Sequence, residues 1–162
     1  MKIYSFPPIS NPDATVLILG TMPGEQSLKL NQYYGHGGNA FWKLIFTIFK
    51  EPFSTDYETR KAFLLQNNIA LWDVLEACER EGSADSEIRK EVPNDFESFF
   101  TNHPKIKLIT FNGHNAERYF TKRVKIENNF TFITLPSTSP ANARKTFEEK
   151  LSEWMIIKAN KP

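Results

Sequence analysis

Short apolar runs rich in β-branched residues alternate along the chain with segments whose apolar positions recur at helical spacing. TVLILG (15–20) is apolar almost without a break and ends on glycine, the pattern of a strand buried on both faces. IALWDV (69–74), KLITFNG (107–113) and FTFITLPSTSP (130–140) repeat it, the last running into a proline-punctuated loop. Between them lie helical stretches: NAFWKLIFTIFK (39–50) with Asn39 placed as N-cap, YETRKAFLLQ (57–66), NDFESFF (94–100) with its own cap, HNAERYFTKR (114–123) and ARKTFEEKLSEWMIIKAN (143–160). The acidic segment 76–91 reads as loop and solvated helix. Strands alternating with helices predict an α/β fold. The expected architecture is a single three-layer α/β/α domain over residues 1–162, with a central, mostly parallel four-stranded sheet.

Functional groups collect at the carboxyl ends of the strands in such sheets. GTMPGEQS follows the first strand, NGH the third and LPSTSPAN the fourth. QYYGHGGNAFW (32–42), between the first strand and the first long helix, can reach the same edge. It carries four aromatic rings, three glycines, a histidine and an asparagine. The glycines point to unusual torsions or to a close approach by another group. The rings either join the core or stack on a planar ligand.

Composition narrows the classes. The chain has 162 residues, enough for one domain with a proper core, and a single cysteine, Cys78, which excludes an internal disulfide or a multi-thiolate metal site. No metal or other cofactor is expected. MKIYSFPPIS lacks the apolar stretch of a signal peptide, and no run is long enough to span a bilayer, so a cytoplasmic protein without a membrane partner is expected. The net charge of +1 argues against a massively basic nucleic-acid binder. Its distribution is uneven: residues 1–100 carry 9 Lys/Arg against 14 Asp/Glu, residues 101–162 carry 11 against 5. A basic second half suits a polyanion held on one face, and equally an inert dipolar surface.

The segments LILGTMPGEQSL, YYGHGGNAFW, ALWDVLEACEREGSADSEI, VPNDF, FNG and LPSTSPAN, in this order, resemble the uracil-DNA glycosylase superfamily, and within it the hypoxanthine-DNA (deoxyinosine) glycosylases. The resemblance covers nearly the whole chain. It implies base flipping, a flat slot with a ring and polar groups that read the base, an ordered water at the sugar, and donors for the flanking phosphates.

Read through that resemblance, Asn39 of the GNAFW segment becomes the catalytic residue. An amide there orients the attacking water and directs its oxygen at the developing positive charge of the sugar. The local pattern alone makes it a helix cap. Relatives with a GINPG motif carry an asparagine where this chain has Met22, which leaves Met22 as a base contact only. Tyr34 aligns with the ring that stacks on the flipped base, while Tyr33, Phe41 and Trp42 are assigned to the core. Asn112 offers a donor and an acceptor to a lactam edge, and is also ordinary turn chemistry before glycine. Ser137 and Ser139 become phosphate ligands, with Arg144 and His36 beside them; His36 could instead brace its loop. His114 could reach a base oxygen or simply start a surface helix. Leu135 replaces a histidine that uracil-specific relatives use on the departing base, and Ser139 stands at their wedge position. Asp73 could polarise water or bind a purine edge, or cap a loop as a structural carboxylate. Lys122, Arg123 and Lys145 could add to a DNA-facing field.

The reading that results is a monofunctional glycosylase acting on DNA that contains a deaminated base, hypoxanthine foremost, as a monomer. The alternatives are a uracil or mismatch-uracil glycosylase, a DNA-binding module of the same fold that has lost catalysis, and a hydrolase of free nucleosides or nucleotides.

Overall fold

The computed structural model describes residues 1–126 and 129–159. Its elements are β1 (Lys2–Tyr4), β2 (Val16–Gly20), α1 (Glu25–Leu30), α2 (Phe41–Ile48), α3 (Tyr57–Gln66), β3 (Ile69–Asp73), β4 (Leu75–Glu79), β5 (Arg89–Pro93), α4 (Phe96–Asn102), β6 (Leu108–Asn112), α5 (His114–Arg123), β7 (Thr131–Leu135), α6 (Phe147–Trp154) and α7 (Ile156–Ala159). A 3₁₀ turn occupies Asp85–Glu87.

The four apolar runs form the expected sheet, in the order β3-β2-β6-β7 and parallel throughout. Every residue of β2, β3 and β6 is buried, because helices cover both faces. Val16 and Ile18 of β2 point into one cluster with Phe41, Leu44 and Ile45 of α2, Leu64 of α3 and Trp154 of α6. Leu17 and Leu19 point the other way, to Phe96 and Phe99 of α4 and Ala116 and Phe120 of α5. The strand period of two thus divides the core into the two outer layers. The register sets Gly20 of β2 beside Asp73 of β3, and Asn112 of β6 beside Leu135 of β7, so all four share the carboxyl edge.

Four expectations need correction. Segment 76–91 is loop and a 3₁₀ turn only at its centre, and its two ends are strands. It contributes β4, the 3₁₀ turn and β5, which pair antiparallel with each other and, through β4, with β1. Two register shifts between β4 and β5 blur the alternation that would mark a strand, and β5 presents mostly exposed side chains. Helix α2 starts at Phe41 after the Ala40 cap position, because Asn39 is drawn into a turn of its own. Helix α4 runs over Phe96–Asn102, two residues beyond the expected end, from a cap at Asp95 whose side chain accepts the Ser98 amide. The last helix starts at Phe147, where Thr146 and Glu149 form a reciprocal capping box, and it breaks at Met155. Residues 143–146 lie in the preceding loop, and residue 160 lies outside the described residues. Among the described residues, no helix is long and apolar enough to cross a membrane.

Candidate active site

The carboxyl ends of β2, β3, β6 and β7 open into one cleft of about 780 Å³, within the usual range for small-ligand sites. Eight of the residues singled out from the sequence line it as base, phosphate or catalytic candidates: Met22, Tyr34, His36, Asn39, Asn112, Ser137, Ser139 and Arg144.

The aromatic loop divides as expected. Tyr33 is buried, its hydroxyl donating to the carbonyls of Phe6 and Pro7, while Trp42 donates its indole N–H to the Tyr33 carbonyl at 2.8 Å. Phe41 and Trp42 are core residues of α2. Tyr34 differs from them. Its φ is +52°, unusual for an aromatic residue, and the residue stays partly exposed at the cleft while its ring stacks on Phe41 with centroids 4.3 Å apart. Its hydroxyl points inward, buried, with no hydrogen-bond partner among the described residues. Burial first, then the neighbouring Asp73 charge, push that phenol well above its ordinary range, with Asn112 easing the rise.

Asn39 is half-buried at the cleft wall. Its Oδ1 accepts the Phe41 amide at 2.9 Å, and its own amide donates to the His36 carbonyl at 2.9 Å. The turn fixes the carboxamide plane and leaves Nδ2 and one Oδ1 lone pair unused among the described residues. The side chain that turns the backbone into α2 thus also presents unused polar atoms at the cleft wall. His36 braces this turn, its Nδ1 accepting the Gly38 amide at 2.9 Å.

The serine loop is held from below by Asn112. Asn112 Oδ1 accepts the Thr138 amide and its Nδ2 donates to Thr138 Oγ1, both at 2.9 Å. The Thr138 carbonyl in turn accepts the Ala40 amide at 3.0 Å, which joins the serine loop to the Asn39 turn. Thr138 is fully buried, and its part was not legible, since the pairing spans 26 residues. Gly113, with φ +94°, lets the chain turn into α5 where a Cβ would meet Ser137 Cβ at 3.1 Å. Ser137 Oγ accepts the Ser139 amide and Ser139 Oγ accepts the Ala141 amide, so both hydroxyl hydrogens remain free to donate. Arg144 is exposed at the rim; Lys145 lines the cleft too but is paired with Glu153.

Other residues are distributed differently. His114 and Asn115 open α5 at the cleft. Lys122 and Arg123 lie at the far end of that helix, about 12 Å further along, and both pair with Glu91 of β5. They do not line the cleft. Met22 and Leu135 are buried apolar wall. Asp85, in a segment read as solvated, instead reaches the cleft from the 3₁₀ turn and accepts from Asn115 Nδ2 at 3.3 Å. Burial raises its carboxyl, opposed by Asn115, Thr21, Arg80 and Arg118. Asp73, at the end of β3, forms the floor.

The fold and cleft together define an α/β protein with an open cleft at the carboxyl ends of a parallel sheet, where such folds place their ligand sites. A family model described as "Uracil DNA glycosylase superfamily" matches residues 7–161, and the chain belongs to that superfamily. It is 37% identical over 155 residues to a protein named hypoxanthine DNA glycosylase from Methanosarcina barkeri, covering 95% of this chain and 96% of the relative. It is 39% identical over 153 residues to one of the same name from Methanosarcina acetivorans, covering 94% and 95%. A solution NMR structure from Methanosarcina acetivorans, provisionally assigned as a uracil DNA glycosylase, superposes with a TM-score of 0.82 at 34% identity, covering 98% of this chain and 99% of the other.

Proposed function

We propose that this protein is a monofunctional DNA glycosylase that hydrolyses the N-glycosidic bond of a deaminated base, hypoxanthine foremost, leaving an abasic site for repair. The observation that carries the reading is the meeting of Tyr34 and Asn39 on one open cleft beside the serine loop. The names of the two curated relatives point to the same substrate.

The geometry of the cleft supports the following steps. A nucleotide swung out of the duplex lays its base against the free face of Tyr34, whose other face is supported by Phe41. Ser137 and Ser139 donate their hydroxyl hydrogens to the flanking phosphates, and Arg144 supplies charge at the rim. Asn39 holds a water beneath the sugar through Nδ2 and its remaining lone pair. As the bond to the base lengthens, the amide oxygen faces the growing positive charge of the deoxyribose, and the water adds to C1′. Asn112 and Met22 flank the base. Beyond its two bonds to Thr138, Asn112 keeps one N–H, which acts on the Tyr34 hydroxyl until a base arrives, and one lone pair, a donor and an acceptor for a lactam edge. Leu135 presents no donor to a departing uracil, which favours hypoxanthine over a uracil-only enzyme. The protein acts as a monomeric, single-domain cytoplasmic enzyme without a cofactor.

An excision panel on duplexes containing deoxyinosine, deoxyuridine, deoxyxanthosine or a thymine mispair tests this reading. Deoxyinosine should be cut fastest of the four. Excision of uracil alone would reject the substrate, and binding to abasic-site DNA without turnover on any member would reject the enzyme.

A further inference from the structure

The cleft floor holds an acid to which the steps of base excision just described give no task. Asp73 is only 3% exposed, yet it lines the cleft. Its Oδ2 is buried without a hydrogen-bond partner, and the side chain makes no ion pair among the described residues. A carboxylate kept to cap a loop would accept backbone N–H groups; only the backbone carbonyl of Asp73 is used, by Asn94 Nδ2. Gly20 makes room for it. A Cβ at Gly20 would stand 2.6 Å from Asp73 Oδ1 and 2.7 Å from the Tyr34 hydroxyl, so the acid and the stacking residue converge on the same bare stretch of backbone.

The charged and titratable groups that act on Asp73 are Asp85, Arg80, Tyr34 and Tyr33. Arg80 is the only cation among them; it commits Nε to the Gly82 carbonyl and Nη2 to the Pro23 carbonyl, and its Nη1 is buried without a hydrogen-bond partner. Burial and the Asp85 charge, opposed by Arg80, bring the Asp73 carboxyl up to about 7. A carboxyl raised this far keeps its proton below neutrality and can exchange it near neutrality, at the bottom of the cleft.

We propose that Asp73 is the general acid of the reaction, giving its carboxyl proton to the departing base. The inference rests on the glycosylase reading. As the C1′–N bond breaks, its electron pair stays with the base, and the proton passes from Asp73 to the base heteroatom that faces the floor. The base leaves neutral. The water held by Asn39 adds its oxygen to C1′ and releases one proton, which restores the Asp73 acid by way of solvent. A deaminated purine thus receives from the floor the assistance that Leu135 cannot give from the wall.

Single-turnover excision of hypoxanthine from duplex DNA, followed from about pH 5 to pH 9 with wild type and Asp73→Asn, tests the assignment. The wild-type rate is expected to hold up to about pH 7 and then fall about tenfold per pH unit, as the acid is lost. Asp73→Asn should be slower by ~10²–10⁴-fold at pH 6 and show no alkaline fall, while melting cooperatively and still binding an abasic-site duplex. Asp73 is not the acid if the variant keeps wild-type rate, or if it is slowed but its alkaline fall survives. A wild-type rate that stays level above neutrality overturns the assignment even where the variant fails to fold. Wild type that cuts no hypoxanthine at any pH sinks the glycosylase reading itself, an outcome distinct from equal cutting by both proteins.

Discussion

Replacing Asp73 with asparagine should change the pH dependence of stability in a direction that the structure fixes. Burial raises the folded-state carboxyl from 3.8 to about 7. An acid with a raised folded pKa imposes no penalty below pH 4, where both states are protonated. The penalty grows as pH rises from about 4 to about 7, since only the unfolded chain ionises there, and is constant above. Its full size, about three pH units at 1.36 kcal/mol each, is about 4 kcal/mol. Asparagine removes it, but its amide buries one more unpartnered donor than the carboxylic acid does, at a cost of ~1–3 kcal/mol. Asp73→Asn should therefore be less stable than wild type near pH 4 and more stable by ~1–3 kcal/mol near pH 8, with the curves crossing between. Urea unfolding followed by tryptophan fluorescence at intervals across this range measures the difference directly. A stability difference between the two proteins that does not vary with pH would refute the claim that Asp73 is buried with its proton.

Tyr34→Ala should weaken recognition of deoxyinosine DNA by the ~1–3 kcal/mol of one stacked base, read as a raised KM, while the Kd for an abasic-site duplex stays unchanged. Gly20→Ala should lower both stability and excision, because its methyl group meets Asp73 Oδ1 and the Tyr34 hydroxyl well inside contact distance; thermal melting and turnover measure the two losses. Asn112→Ala removes both bonds to Thr138 and leaves a buried amide unpaired, a loss of ~1–3 kcal/mol by denaturation, with weaker DNA binding as the serine loop loosens.

What was legible in the sequence is what local pattern encodes. The four apolar runs became the four parallel strands with nearly the expected ends, and the burial of Phe41 and Trp42 followed from their place on a helix face, whereas Tyr33 was set apart from Tyr34 only through the family resemblance. The second sheet was not legible, because β1 meets β4 through pairs such as Lys2 with Glu79, far apart in sequence, and β5 adds little apolar signal. The cleft shows the same division. Its wall residues stood in recognisable motifs, whereas the tie between Asn112 and Thr138 and the approach of Asp85 to Asn115 depend on tertiary contact. Lys122 and Arg123 were offered to DNA by charge alone; Glu91, on a strand that the sequence did not reveal, occupies both.

The central claim is that the Asn39 carboxamide holds the water that attacks the sugar of a flipped deaminated nucleotide. Single-turnover excision of hypoxanthine by Asn39→Ala, with melting recorded alongside, tests it most directly. The expected result is a loss of ~10²-fold or more in rate in a protein that still folds and still binds the duplex. Excision at close to wild-type rate would contradict it.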